Sequence, residues 1–278
     1  MELLPYTLKW IEVLLRWSHV LFAILWIGNS FLFNYLDNKL DKNITSKGVD
    51  ADGILQHSGY FYKVSRLQGA PEKFPRNLII FKWQSYLTFI TGIFLLIIIY
   101  YANSKILMID KRINENITPL MGIAISVFSI IGSWLIYDLI CKSKLINHKI
   151  IFTTTLLIIG VIISYALTTI FGRRFSFLSV GIILGCIMFF NVFTVIIPNQ
   201  KNIVFSALNG TKFDLSLSTK AKTRSVHNNI ITFLVLFIML SGHFSFIWIN
   251  QYNWIILSII AVISGFIRYY FNLRSQKK

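Results

Sequence analysis

The sequence predicts an all-α protein, a polytopic transmembrane helix bundle of about seven spans. Hydrophobic residues make up 55% of the 278 residues and charged residues only 14%, well below the usual quarter of a soluble domain. Apolar runs such as GIFLLIIIYY and TLLIIGVIISYALTTIF are longer than a soluble core needs. We therefore expect residues 1–278 to form a single integral-membrane domain.

The predicted spans follow from the positions of the apolar runs. Tryptophan and tyrosine at several of their ends are typical of the two membrane interfaces. The predicted spans are Trp10–Leu36, Leu78–Tyr101, Pro119–Cys141, Lys149–Phe171, Phe175–Pro198, His227–Trp248 and Trp254–Phe271.

Lysine and arginine predict the orientation of the bundle. Nineteen of the 27 fall on one side of the predicted spans and six on the other, and the long connection 37–77 alone carries seven. Positive charge marks the cytoplasmic side, so we expect the amino terminus outside and the carboxyl terminus inside, with 37–77 a cytoplasmic loop packed against the helix ends. The net charge of +16 lies mainly in these connections, which argues against nucleic-acid binding.

Three histidines fall within the predicted spans. His227 and His243 lie on one predicted helix, roughly 24 Å apart, so that each is near one membrane face. His19 lies roughly 13 Å deep from the outer side in the first span, and it can meet His243 in the outer half of the bundle. Neutral imidazole is a good axial ligand of haem iron, which makes His19 and His243 candidate haem ligands. The alternative is that each histidine is hydrogen-bonded to a carbonyl or hydroxyl.

A second polar group gathers at the predicted cytoplasmic ends of the spans. Its amides, cation and aromatic ring suit a planar, polar, anionic heterocycle. The alternative, helix capping combined with snorkelling lysines, explains about half of these residues. The group comprises Lys82, Trp83, Gln84, Asp138, Asn191, Asn199, Gln200, His227, Asn228 and Asn229.

Several motifs together resemble one family over nearly the whole chain. They are WSHVLFAILWIGNSFLF, HSGYFY, APEKFP, FKWQSYLTFITG, IYDLICKS, NVFTVIIPNQK and RSVHNNIITFLVLFIMLSGH. In this order and spacing they resemble the membrane domain of the bacterial urate hydroxylases, the urate oxidase N-terminal-domain family. His19, His57, His227 and His243 all match the family's pattern.

The resemblance implies oxidation of urate to 5-hydroxyisourate in purine catabolism, with oxygen taken from water and electrons passed to a cytochrome c. It also implies haem b and a multi-pass location in the bacterial inner membrane. Members of the family typically continue into a further span and a cytochrome c domain, so we expect a separate cytochrome c as the acceptor here. His227 and His57 are then the candidate catalytic residues. The candidate urate-binding residues are Lys82, Trp83, Gln84, Asn199, Gln200, Asn228 and Asn229.

The chain departs from the family's pattern at three positions that bear on catalysis. Gln84 stands where an acidic residue is usual, and Thr169 and Ser179 stand where histidines are usual. Loss of the acid removes a general base, and loss of the histidines removes one haem site. Two other functions are therefore open. One is a haem b protein that passes electrons between quinone and a soluble partner, and the other is a transporter or sensor for a purine anion.

Overall fold

The computed structural model describes residues 3–43, 48–67, 69–71, 78, 80–212 and 214–276, and it is predominantly helical. Seven helices in these ranges are long and apolar enough to cross a membrane, which is consistent with a multi-pass membrane protein. The helices are α1 (Leu3–Lys39), α2 (Trp83–Leu95, continued by a π-helical segment, Leu96–Tyr101), α3 (Ser104–Leu107), α4 (Pro119–Lys142), α5 (Lys149–Ile170), α6 (Arg173–Phe190, continued by a π-helical segment, Asn191–Ile196), α7 (Ile197–Leu208), α8 (Leu215–Ser241), α9 (Ser245–Trp248) and α10 (Asn253–Gln276). A 3₁₀ turn, Lys144–Asn147, joins α4 to α5.

The described residues contain the predicted number of helices that are long and apolar enough to span a membrane, but the all-α prediction was wrong in the 37–77 connection. Strands β1 (Val49–His57) and β2 (Tyr60–Leu67) form an antiparallel hairpin there. Ser58 and Gly59 both have positive φ angles, 49° and 82°, which is the geometry of a tight two-residue hairpin turn. Most of the APEKFP motif falls on residues 72–77, outside the described residues.

The sixth span begins and ends earlier than predicted. Asp214 caps the amino terminus of α8 by accepting a hydrogen bond from the backbone nitrogen of Ser216 at 2.8 Å, and helix-forming residues follow it. The helix therefore starts twelve residues before His227, and it ends at Ser241, before Gly242. His243 consequently lies in a turn beyond the helix rather than within it.

The fifth span lies at the centre of the bundle. Over the helical run 173–208, 61% of the most apolar window is buried, against 28% or less in each of the other six. Helix α6 packs against α4, α5 and α8, while α1 packs mainly against α2. Among the described residues, Phe171 and Phe175 are the largest side chains with no exposed surface. Polar groups on α6 therefore face other helices rather than lipid.

A wide turn in this central run positions a polar side chain. Pro198 cannot donate a backbone hydrogen bond, and its ring crowds the carbonyl four residues earlier. The segment Asn191–Ile196, just before it, is π-helical, a form often found at functional sites. Asn191 is fully buried at the start of this segment.

Candidate functional site

A buried ion pair joins α4 to α8. The Nη2 of Arg224 donates to Oδ1 of Asp138 at 2.6 Å, and the arginine is only 5% exposed. The guanidinium also lies 4.9 Å from the ring centre of Tyr137. A buried charge is tolerated only when it is paired and hydrogen-bonded, and both conditions hold here.

Hydrogen bonds extend from this pair to five further groups. Arg224 donates to Oδ1 of Asn191 at 3.2 Å. The amide nitrogen of Asn191 donates to the Tyr137 hydroxyl at 3.1 Å and to Oδ1 of Asn228 at 2.8 Å. Asn228 donates in turn to the carbonyl of Met188 at 2.9 Å. The Tyr137 hydroxyl lies 2.8 Å from Nδ1 of His227. We call the set Tyr137, Asp138, Asn191, Arg224, His227 and Asn228 the Arg224 network.

The direction of these hydrogen bonds fixes the tautomer of His227. Arginine can only donate, so Oδ1 of Asn191 must face Arg224 and its amide nitrogen must face Tyr137. The Tyr137 oxygen therefore accepts from Asn191 and uses its own hydrogen to donate to Nδ1 of His227. A neutral His227 then carries its proton on Nε2. The imidazole consequently presents a hydrogen-bond donor on its side away from Tyr137.

The surroundings of the network are cationic and aromatic. Lys142 places its Nζ 2.6 Å from Oδ2 of Asp138, so two cations share one carboxylate and the local charge is net positive. Phe152 stacks on the His227 ring with 5.1 Å between ring centres, and Trp134 lies 5.9 Å from the Arg224 guanidinium. A net positive, aromatic-lined region favours a flat anion.

A second polar region runs along one face of α1, and its polar atoms are not all satisfied. Ser30 accepts from the amide of Asn229 at 3.2 Å, and Asn34 accepts from Arg268. Buried atoms without a partner are Oδ1 of Asn229, Nε of Arg268 and Oε1 of Gln84. Helical spacing places Gln84 on the same face of α2 as Thr88 and Thr91, which contact α1. We call the set Ser30, Asn34, Gln84, Asn229 and Arg268 the α1 groove.

His19 lies on the α1–α2 contact and makes the hydrogen bonds to a carbonyl and a hydroxyl that the alternative to haem ligation predicts. The same geometry also suits an axial haem ligand. Its Nδ1 is 3.0 Å from the carbonyl oxygen of Thr88 and 3.1 Å from the Thr91 hydroxyl. Metal-binding histidines are commonly oriented by such a second-nitrogen bond to a carbonyl, which leaves Nε2 for the metal. Gly92 permits this approach, because a Cβ there would lie 3.0 Å from Cε1 of the ring.

His243 differs from His19 in its surroundings, because His19 is partly buried against α2. The His243 side chain is exposed in the turn after α8. Pairing of His19 with His243 on one haem therefore stays a prediction.

The other predicted site residues do not form one pocket. The Nζ of Lys82 lies 5.5 Å from the ring centre of Trp83, which is exposed, at the start of α2. Asn199 donates weakly to the carbonyl of Leu217 at 3.4 Å, and Gln200 is exposed. His57 is exposed at the tip of the hairpin. Of the predicted polar group, the structure brings together Asp138, Asn191, His227 and Asn228, and it turns Asn229 towards α1 instead.

The roles of Tyr137 and Arg224 were not predicted from the sequence. A signal was present, because Arg224, His227 and Asn228 are spaced three and four residues apart and so share one helix face. Tyr137 and Asp138 are polar residues within a predicted span, where such groups are expensive and are usually paired. Arg224 lay three residues before the predicted start of the sixth span and was counted as a loop charge.

The two positions that depart from histidine differ in environment. Ser179 is 5% exposed and donates to the carbonyl of Phe175 at 2.6 Å. Together with Ser126, Ile130 and Leu167 it lines the place where α4, α5 and α6 meet, which leaves no room for a water-sized group. Thr169 is exposed on α5 and donates to the carbonyl of Ala166 at 2.8 Å. Both hydroxyls thus bond within their own helices.

Comparison with known proteins agrees with the motifs. Neither a curated protein nor a solved structure matches the chain. The family model described as urate oxidase N-terminal matches residues 5–278, which include every residue of the Arg224 network and of the α1 groove. The chain belongs to the urate oxidase N-terminal family.

Proposed function

We propose that the protein is a haem-linked membrane oxidoreductase that oxidises urate to 5-hydroxyisourate and passes the electrons to a cytochrome c. Membership of the family suggests a urate-related oxidoreductase. The observation that carries the proposal is the placement of His227, which is held by Tyr137 within a net positive, aromatic-lined region.

His227 acts as a hydrogen-bond donor in this proposal. Oxidation of urate removes two electrons, after which water adds to the ring and loses a proton to solvent. Urate is anionic at neutral pH, and its negative charge is spread over the purine oxygens. The Nε2 proton of His227 stabilises that charge, and Arg224 with Lys142 lowers its energy through the positive local field. His227 does not act as a proton acceptor in this role, because Tyr137 already occupies the basic Nδ1.

Haem, held by His19 with His243 as the predicted second ligand, supplies one-electron acceptance when bound. The protein's own part is to orient His19 through Thr88 and Thr91 and to pack Gly92 against its ring. A cytochrome c remains the proposed acceptor of the electrons.

The test of the urate site compares His227→Gln with His227→Phe in purified protein. Glutamine keeps an N–H donor whereas phenylalanine does not, so we expect urate binding to weaken moderately in the first and about tenfold or more in the second. His148→Gln is the matched control, since His148 is an exposed histidine outside the network. Equal urate binding in His227→Phe and the unmodified protein would contradict the proposed site.

The haem is tested separately by absorbance spectroscopy. We expect the unmodified protein to show a Soret band that His19→Ala removes or shifts, and urate to reduce the haem. A Soret band unchanged by both His19→Ala and His243→Ala, with no reduction by urate, contradicts the haem-linked proposal.

Gln84 favours a second candidate function, binding of a purine anion without oxidation. Its buried Oε1 has no partner, and an amide cannot accept the proton that attacking water loses. Gln84→Glu decides between the two. Urate turnover in the unmodified protein supports the oxidoreductase, whereas turnover that appears only in Gln84→Glu supports the binding protein.

A further inference from the structure

The outer half of the β1–β2 hairpin is not covered by any described part of the chain. Ile54, Tyr60 and Phe61 are 75%, 70% and 78% exposed, and Tyr62 is 49% exposed. An isolated two-stranded hairpin is at best marginally stable in water. A hairpin with this many exposed apolar side chains therefore requires a cover that the described residues do not supply.

The inner half of the hairpin is tied to the end of α1. Arg66 on β2 donates to Asp50 on β1 at 2.6 Å and to Asp37 on α1 at 3.2 Å. A pair of backbone hydrogen bonds also joins Asp41 to Asp52, at 2.8 and 2.9 Å. Because α1 is one of the helices that can cross the membrane, these contacts hold the hairpin beside the membrane face at which α1 ends.

The apolar side chains occupy both faces of the hairpin. The register pairs His57 with Tyr60, Gln56 with Phe61 and Leu55 with Tyr62. Side chains alternate between faces along a strand, so Tyr60 and Tyr62 lie on one face and Phe61 on the other. A protein groove covers one face of a ribbon, whereas lipid surrounds both. This distribution favours lipid as the cover.

The charges of the hairpin agree with that choice. Residues 53–62 contain no lysine, arginine, aspartate or glutamate, so no ion is desolvated when this part enters an apolar medium. Lys63 follows immediately, and its side chain is 65% exposed, at the height where anionic headgroups would lie. The carboxylates Asp50 and Asp52 lie further back, and both are paired with basic side chains.

We propose that residues 53–63 of the hairpin insert into the headgroup interface of the membrane that the chain itself spans, on the face where α1 ends. Tyrosine and phenylalanine are enriched at such interfaces, where one end of the ring is wet and the other apolar. The inserted tip anchors the end of α1 through the Arg66–Asp37 pair. The proposal does not depend on the chemistry of the bundle.

The test measures depth in the membrane with a nitroxide label at two positions of β2. Phe61→Cys and Ser65→Cys are matched, because the four-residue spacing places both on the same face of the same strand. The full chain is placed in vesicles of phosphatidylcholine with phosphatidylglycerol. Cys141 and Cys186 are buried, and unmodified protein gives the labelling background.

We expect the label at Phe61 to be several-fold less accessible to a water-soluble nickel chelate than the label at Ser65, and more accessible to oxygen. Lys63→Glu should reduce this protection in phosphatidylglycerol vesicles and leave it unchanged in phosphatidylcholine alone. Equal chelate accessibility at both positions would overturn the proposal. Spin–spin broadening at Phe61 that disappears on dilution with unlabelled protein would also overturn it, because a second copy would then cover the hairpin.

Discussion

The Arg224 network and the α1 groove are both buried and polar, but they differ in completeness. In the network every side chain is tied to another by a hydrogen bond, starting from an arginine that can only donate. In the α1 groove three buried atoms, on Gln84, Asn229 and Arg268, lack a partner. A buried polar atom without a partner costs about 1–3 kcal/mol, so each of these three atoms opposes stability until a ligand or water pairs with it.

The network, whose hydrogen bonds are complete, is suited to position a side chain, whereas the α1 groove, whose hydrogen bonds are incomplete, is suited to bind a ligand. A satisfied network holds its members in one arrangement and presents a single group, Nε2 of His227, to a ligand. A groove with unsatisfied atoms gains stability when a ligand or water supplies the missing bonds. The two regions therefore predict opposite responses to substitution.

The largest expected effect comes from breaking the ion pair of the network. Asp138→Asn leaves Arg224 buried without a counter-charge, and we expect a loss of about 3–5 kcal/mol in the free energy of unfolding. The measurement is denaturant unfolding of the purified protein in detergent. The matched control is Asp110→Asn, which removes the carboxylate from a pair with an arginine that is 90% exposed, where the loss should be below about 1 kcal/mol. Similar losses of stability at the two sites would show that the buried ion pair contributes no more than the exposed one.

Removing the Tyr137 hydroxyl tests the direction of the hydrogen bonds in the network. Tyr137→Phe strands Nδ1 of His227 and an amide hydrogen of Asn191, and we expect a loss of about 2–3 kcal/mol. Tyr101→Phe is the control, because among the described residues its hydroxyl bonds to Ser126 alone, at 3.1 Å, and the loss should be about 1 kcal/mol. A smaller loss for Tyr137→Phe than for Tyr101→Phe would contradict a cooperative network.

The α1 groove should respond in the opposite direction. Gln84→Met removes an unsatisfied buried oxygen at nearly constant volume, so we expect a gain of about 1 kcal/mol in the free energy of unfolding without ligand. Gln200→Met is the control on an exposed helix position and should change stability by less than about 0.5 kcal/mol. Destabilisation by Gln84→Met would show that the oxygen is satisfied.

The smallest effect is a pH dependence at the exposed pair used as the control above. Hydrogen bonds from Arg112 hold the pKa of Asp110 below its ordinary value of 3.8. A carboxylate with a lowered pKa stabilises the folded state above that ordinary value, and the contribution is lost as the pH falls through the folded value. We expect Arg112→Ala to be less stable than the unmodified protein at about pH 5 and indistinguishable from it once the pH is below the folded value. A difference that persists at the lower pH contradicts this assignment.

Much of the fold followed from local patterns in the sequence. The apolar runs predicted seven spans, because a helix that crosses a membrane must satisfy its own backbone with apolar side chains outward. The hairpin escaped prediction because HSGYFY was interpreted within a loop, although Ser-Gly between two apolar strands is a turn signal. The early start of α8 was missed because its first turns are polar and carry no hydropathy signal.

The site was predicted less completely. His227 and Asn228 were chosen for their residue types, and they do meet in one network. Asn229 is their neighbour in sequence, yet it faces α1, because successive residues on a helix point about 100° apart. His57 and Gln200 were expected at the same pocket but are exposed at other positions. Spacing along one helix predicts a shared face, but it does not say which helix that face meets.

The sequence by itself determined the class of the protein, its spans and the polar residues that a membrane bundle must pair. The class and the spans depend on amino-acid composition and on the length of the apolar runs, which are properties of short stretches of sequence. Only the tertiary structure decided that Arg224 pairs with Asp138, that Asn191 transmits the direction of the hydrogen bonds, and that His227 presents its Nε2 proton. These facts depend on contacts between residues some 33 to 90 positions apart, which helix packing alone creates.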